Sequence, residues 1–238
     1  MPTTARKKIA LVIPAYNEVG VIAAVLAGIQ TTFKDQPYDY QIIVIDDGSR
    51  DATATKAAEA GALVIKHILN TGSGGATATG LSFARQSSFD LVATLDADGQ
   101  HDPEDVLKGI EMMLNSDYDL LIGSRLIDNE GMSNAKILGN KGLSFITYIL
   151  FGTRVTDSQS GLRIFSKRAL VELKWKTSGY EYCSEMLWRA KQNSLKIGEF
   201  PIRTIYTDYS KAKGQNNWNA FNIIKALLRT RIMELFGE

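Results

Sequence analysis

The sequence predicts an α/β fold, a mostly parallel, Rossmann-like sheet with helices on both faces. Three observations predict it. Apolar runs of strand length alternate with helix-length segments as far as Gly123. Three of those runs end in polar, acid-bearing clusters, Pro14 to Glu18, Asp46 to Ser49 and Asp96 to Gln100. Helical crossovers between successive strands make parallel pairing the expected arrangement, so all three clusters should project from one sheet edge.

Each element has a local reason. Ile9 to Ile13 reads as a buried strand stopped by Pro14, with a helix from about Val19 to Phe33. Gln41 to Ile45 is a second strand, and Ser49 or Asp51 can cap a helix running to about Ala60. Ala62 to Lys66 is a third strand, Ala76 to Gln86 a helix, and Leu91 to Leu95 a fourth strand. Asp102-Pro103-Glu104-Asp105 is a strong helix start, with a cap, a first-turn proline and acids at the positive helix end. That helix should reach Asn115, followed by a strand at Asp119 to Gly123. Beyond Ser124 the pattern loosens. Expected are a helix at Lys136 to Phe151, a short strand at Gly161 to Phe165, a helix at Tyr182 to Gln192 and a strand at Leu195 to Tyr206 broken at Pro201. A polar loop from Thr207 to Asn217 and a last helix from Trp218 to Phe236 complete the chain.

With 238 residues, 45% of them hydrophobic and 22% charged, the chain can bury a substantial core. A formal net charge of +1 argues against a nucleic-acid binder. The one cysteine, Cys183, allows no intrachain disulfide and reads as a small buried hydrophobe. The apolar run after the basic N-terminus is too short for a signal peptide, and the longest apolar stretch, Leu143 to Phe151, is far short of a membrane span. The expectation is a cytoplasmic protein that meets a membrane, if at all, from the surface.

The chemistry concentrates at Asp96-Ala97-Asp98-Gly99-Gln100-His101-Asp102. Two acids two residues apart repel each other, and a bound cation relieves that. Hard oxygen ligands without a neighbouring Cys suit Mg²⁺ or Mn²⁺ rather than Zn²⁺. His101 lies close enough to compete with Gln100 as a ligand, but beside a helix start it reads more simply as a structural hydrogen-bonding residue. The glycine-rich loop Asn70 to Gly75 fails the G-x-G-x-x-G pattern, because Thr77 holds the sixth position and the loop follows the third strand instead of the first. It reads as a backbone-lined wall near a nucleotide or as a plain helix-capping loop.

Five motifs occur in order: Pro14-Ala15-Tyr16-Asn17-Glu18, Asp46-Asp47-Gly48-Ser49-Arg50-Asp51, Asp96 to Pro103, Gly123-Ser124-Arg125 and Asp157-Ser158-Gln159-Ser160-Gly161-Leu162-Arg163. With them the chain resembles the family 2 glycosyltransferases of the GT-A fold, and within these the dolichol-phosphate mannosyltransferase and polyprenyl-phosphate glycosyltransferase branch. The resemblance covers roughly Ile9 to Gly214. It implies one domain over residues 1–238, with a nucleotide-sugar half at 1–125, an acceptor half at 126–216 and an amphipathic helix at 217–238.

The resemblance also implies roles. The donor would be a UDP- or GDP-sugar held by Pro14, Ala15, Tyr16, Glu18, Asp46, Asp47, Gly74, Asp96 and Ala97, with Glu18 on ribose hydroxyls and Asp46 or Asp47 accepting a base N–H. Asp96, Asp98 and Gln100 would surround the metal. Asp98, Asp157 and Arg125 would be catalytic, Asp157 orienting a substrate or acting as base. Lys136, Asn140, Arg163, Lys211 and Lys213 would meet acceptor or donor phosphates, with a structural pairing to a nearby carboxylate as the alternative for Arg163. The implied reaction is inverting transfer of a sugar to a polyprenyl phosphate. A saccharide hydroxyl as acceptor, a non-catalytic sugar-nucleotide-binding subunit and, more weakly, a nucleotidyltransferase are the alternatives. Ser73 stands where relatives often carry a basic residue, so no phosphate contact is expected from that loop.

Two helices stay ambiguous. The apolar part of Lys136 to Phe151 suits either an interfacial helix or core packing. The last helix places Trp218, Phe221, Ile224, Leu228, Ile232 and Leu235 on one broad face, with Lys225, Arg229 and Arg231 elsewhere. Such a helix packs on its own domain or in a homo-oligomer, or lies on an anionic membrane.

Overall fold

A computed structural model describes residues 6–129, 132–205 and 218–235. Its centre is a seven-stranded sheet of order β3-β2-β1-β4-β6-β5-β7. The strands are β1 (Lys7–Ala15), β2 (Tyr38–Asp46), β3 (Leu63–Lys66), β4 (Leu91–Thr94), β5 (Leu120–Ser124), β6 (Arg163–Ser166) and β7 (Ile197–Pro201). Every pairing is parallel except those of β6, which runs antiparallel to both β4 and β5. Sequence reading finds β6 but does not foresee its place, inserted between β4 and β5.

The helices are α1 (Ile22–Phe33), α2 (Thr53–Glu59), α3 (Ser73–Gln86), α4 (Pro103–Leu114), α5 (Asn134–Phe151), α6 (Lys167–Glu172), α7 (Tyr182–Gln192) and α8 (Trp218–Leu235). Alternation along β1 divides the core. Ile9, Leu11 and Ile13 join the side chains of α1, α2 and α4, whereas Ala10 and Val12 join those of α3, α6 and α7. Apolar runs without polar alternation suit strands covered on both faces. A smaller cluster, Leu143, Phe151, Trp188, Ile223 and Leu227, fastens α5 and α8 to α7. Gly80 on α3 lies directly on Val12 and Ile45, an approach that leaves no room for a Cβ.

Boundaries differ where tertiary contacts outweigh local signals. Pro14 pairs with Ile45 inside β1 instead of ending the strand. It lies beyond the last β1–β4 pair, Val12 with Thr94, where β1 has a ladder on one side only and a missing N–H is tolerated. The first helix begins at Ile22, not Val19, because Asn17 sits at φ 54° and Val21 and Ile22 both donate to the Glu18 carbonyl. Asp102 caps α4 as read, accepting from Glu104 N at 3.0 Å. The sheet runs across the expected division at residue 125, since β6 and β7 pair into the sheet of the first half.

Candidate functional site

The carboxyl ends of β1, β2 and β4 lie side by side, as their parallel pairing requires. The loops after β1 and β2 are laced together. Asn17 N donates to Ser49 Oγ at 2.9 Å, Arg50 N to Asn17 Oδ1 at 2.9 Å, and Glu18 N to Thr53 Oγ1 at 2.8 Å. Ser49 therefore ties two loops together instead of capping α2. Beside these loops a cleft of about 580 Å³ is lined by Tyr16, Gly48, Ser49, Arg50 and the segment Lys66 to Asn70. That size is usual for a small-molecule site. Tyr16 is partly exposed at its wall, whereas Ala15 and Glu18 are buried and Pro14 is half-buried.

The two acids after β2 have different environments. Asp47 accepts from Thr71 N at 2.8 Å, Thr71 Oγ1 at 2.7 Å and Gly72 N at 2.8 Å, and meets His67 Nδ1 at 2.8 Å. Burial alone would raise its carboxyl, but these donors hold it below the ordinary range. Asp47 is thus engaged in fixing the glycine-rich loop. Asp46 is fully buried, and neither carboxylate oxygen has a hydrogen-bond partner. His67, given no role by the sequence, bridges Asp47 and Thr79.

The glycine loop faces another segment of its own chain. Gly74 N donates to Ser178 O at 2.7 Å, and a Cβ on Gly74 would come within 2.8 Å of Thr177 O. Gly74 therefore packs closely beneath Thr177, Ser178 and Tyr182 at the start of α3.

At the end of β4, Asp96 keeps a half-exposed carboxylate, and His101 Nε2 lies 3.0 Å from its Oδ2. Gln100 Nε2 donates to Asp98 Oδ2 at 2.7 Å, and Gln100 N to Asp98 Oδ1 at 3.0 Å. Burial first, and then the negative charge of Asp96, raise the Asp98 carboxyl above its usual range. The neighbouring Ala97 is buried in the core. Among the described residues no group of three or more His, Cys, Asp or Glu is placed to hold a metal ion. The protein can supply two carboxylates and an amide oxygen, a donor set that fits a hard cation completing its shell with phosphate oxygens and water.

The antiparallel β6 brings in the last component. Its first residue, Arg163, pairs with Thr94, the last residue of β4, so the chain just before it arrives at the same sheet edge. Thr94 Oγ1 donates to Gly161 O at 2.8 Å, and a Cβ on Gly161 would collide with the Asp96 carboxylate. Asp157 is fully buried and receives Arg125 through two bonds, Nε to Oδ2 at 2.7 Å and an NH₂ nitrogen to Oδ1 at 2.9 Å. Burial would raise the Asp157 carboxyl, but the Arg125 charge and bonds hold it low. A buried carboxylate held by a guanidinium is poorly placed to take a further proton, which favours the orienting role over the base. Glu199, missed in the sequence, steadies the loop by accepting from Thr156 N at 2.8 Å and Asp157 N at 3.3 Å.

Arg163 is corrected as well. It is fully buried and donates to Ser158 O at 2.8 Å, Ser160 O at 3.1 Å and Cys183 O at 3.4 Å, so it braces the loop instead of meeting a phosphate. Lys136 is exposed and Asn140 half-buried in the first turns of α5. Lys211 and Lys213 lie outside the described residues. Tyr180 was missed, since a lone tyrosine in a loop carries no sequence signal. Its side chain is half-exposed, and its phenol is pushed up by burial and then by the charges of Asp96, Cys183, Asp98 and Glu18.

This architecture has known counterparts. A glucosyl-3-phosphoglycerate synthase from Mycobacterium tuberculosis, solved in complex with Mn²⁺, uridine diphosphate and phosphoglyceric acid, superposes with a TM-score of 0.68 at 22% identity, covering 94% of this chain and 78% of that one. In sequence, the chain is 43% identical to a UDP-N-acetylglucosamine–dolichyl-phosphate N-acetylglucosaminyltransferase of Methanococcus voltae, over 96% of this chain and 98% of that protein. An undecaprenyl-phosphate mannosyltransferase of Micrococcus luteus is 28% identical over 87% of each chain. The family model for glycosyl transferase family 2 matches residues 10–174. The three converging strand ends, the acid pair and these matches agree, and the chain belongs to glycosyltransferase family 2.

Proposed function

We propose that the protein transfers a sugar, with inversion, from a UDP-sugar to a polyprenyl phosphate of the dolichyl or undecaprenyl type. The observation that carries this reading is the corner where Asp96 and Asp98 repel each other beside the Tyr16 cleft, on an edge shared by three strand ends. The Tyr16 cleft would hold the nucleoside, with Glu18 toward the ribose. Asp46, an unpaired buried carboxylate, would accept a base N–H once the loops adjust around the ligand, because such a group is costly while unpartnered. Asp96 and Asp98, with Gln100 as the amide donor, would hold Mg²⁺ or Mn²⁺. When bound, the cation offsets charge on the departing diphosphate.

His101 orients Asp96, and Gly161 gives the Asp96 carboxylate its space. Asp157 fixes the guanidinium of Arg125 at the edge of the same corner. The engagement of Asp157 favours a phosphate acceptor over a hydroxyl, since a phosphate is already an anion and requires little base catalysis. Lys136 and Asn140, at the start of α5, would meet that phosphate. The resemblance to the Methanococcus voltae enzyme supports both the UDP donor and the lipid phosphate.

The test is transfer of radiolabelled sugar from UDP-sugars to a polyprenyl phosphate, followed by chloroform extraction. Label should enter the organic phase with the wild type and be lost with Asp98→Ala, while the variant keeps its cooperative melting. Undiminished transfer by Asp98→Ala would remove the acid corner from the chemistry. Label found only in the aqueous phase would transfer the acceptor role to a saccharide. Thermal shifts with UDP, GDP, CDP and dTDP in Mn²⁺ should single out UDP, because stabilisation follows ligand concentration over dissociation constant.

A further inference from the structure

Arg125 directly follows β5, and its buried partner Asp157 stands on the loop that leads to β6. That loop is held at both ends. At its far end Thr94 Oγ1 donates to Gly161 O at 2.8 Å, next to the Asp96 carboxylate. At its near end the anchor is Glu199 of β7, which lies opposite Ile122 in the β5–β7 pairing. Thr156 N donates to Glu199 Oε1 at 2.8 Å and to Oε2 at 2.9 Å, Thr156 Oγ1 to Oε1 at 2.7 Å, and Asp157 N to Oε1 at 3.3 Å.

A second set of bonds runs from the same carboxylate to the backbone on either side of Arg125. Leu126 N donates to Ser124 Oγ at 3.2 Å, and Ser124 Oγ lies 2.7 Å from Thr156 Oγ1. An ionised carboxylate only accepts, so the order of the protons is fixed. Thr156 Oγ1 gives its proton to Glu199 and must accept from the Ser124 hydroxyl, whose oxygen in turn accepts from Leu126 N–H. A chain of this kind, ending in a charge, is polarised in one direction and strengthened along its length. Glu199 thus reaches Arg125 by two routes, the Asp157 carboxylate and the Ser124–Leu126 backbone. Its own oxygens are occupied by amides and a hydroxyl of its own chain, so it acts on a reaction through the groups it holds.

We propose that Glu199 is a positioning residue for the sugar transfer, fixing the Arg125 guanidinium at the edge of the acidic corner through Thr156 and Asp157. This rests on the reaction proposed above, so the test carries one readout that needs no sugar transfer. In isotope-labelled protein the Arg125 Nε–H signal is identified by its loss in Arg125→Lys. It should exchange with water roughly tenfold faster in Glu199→Ala than in the wild type. In the same variant kcat should fall roughly tenfold while the donor KM stays within about twofold, because the Tyr16 cleft is untouched. Glu199→Gln should restore both, since one amide oxygen can replace Oε1 and accept from Thr156 N, Thr156 Oγ1 and Asp157 N. Unchanged exchange at Arg125 in Glu199→Ala, or a lowered melting temperature with kcat intact, would leave Glu199 a purely structural residue and overturn the inference. A Glu199→Gln variant as slow as Glu199→Ala would make the charge a chemical requirement and overturn it too. If the wild type moves no sugar to a polyprenyl phosphate, the proposed reaction falls, and Arg125 Nε–H exchange by itself decides whether Glu199 holds the guanidinium.

Discussion

Replacing Asp157 with Asn tests how the acceptor side is held. The change is nearly isosteric, so it removes charge without opening a cavity. Arg125 would then lose the carboxylate that its Nε and an NH₂ nitrogen now bond at 2.7 and 2.9 Å. Breaking a buried ion pair from one side costs about 3–5 kcal/mol. The Arg125 side chain retains 19% exposure, so the loss should fall near the low end, about 3 kcal/mol. That is roughly a 150-fold change in the folding equilibrium. Urea unfolding followed by tryptophan fluorescence measures it, and a cycle with Arg125→Gln should return a coupling of about 2 kcal/mol. The sign with pH follows from the lowered carboxyl. The contribution is complete above the unfolded carboxylate pKa of about 3.9 and is lost as pH falls through the lower folded value. Coupling should therefore be equal at pH ~7 and ~5 and shrink below about 3.9. If Asp157→Asn cost less than about 0.5 kcal/mol yet abolished transfer, the carboxylate would be a chemical group and the strut argument would fail.

Two further outcomes follow. Asp47→Asn should loosen the loop that Thr71 and Gly72 anchor, costing about 2 kcal/mol for weakened charged hydrogen bonds and speeding amide exchange at those two residues. Its carboxyl is lowered, so the deficit should be full above pH ~3.9 and fade below it, and unchanged exchange at both amides would contradict the assignment. Gly80→Ala should cost about 1–3 kcal/mol in thermal or urea unfolding, because the new methyl meets Val12 under α3, and a neutral result would mean that α3 can move away from the sheet.

What could be read before folding was local. Strand-length apolar runs, the Asp102-Pro103 helix start and the acids after β2 and β4 each depend on a few adjacent residues, and parallel crossovers place their ends on one edge. Asp96 and Asp98 were legible for the same reason, since their repulsion is a matter of spacing. Asp46 and Asp47 were located but not told apart. Their difference is decided by a loop more than twenty positions away, whose amides reach Asp47 and not Asp46. Arg163 looked like one more cation in a polar motif, and only packing shows that carbonyls of its own loop and of α7 enclose it.

The sequence by itself determined the elements, the parallel first half, the acidic corner and the family. Tertiary structure decided that β6 enters antiparallel between β4 and β5, and that one choice brings Gly161 to Asp96 and the Asp157 loop to the same sheet edge. It also decided that α5 buries Ser144 and Thr147 beside Leu143 and Phe151 and leaves Leu138, Phe145 and Ile149 exposed. The physical reason is the same in both cases. Periodicity and turn chemistry act between near neighbours, whereas strand partners and helix faces are chosen by burial and hydrogen bonding summed over residues distant in the chain.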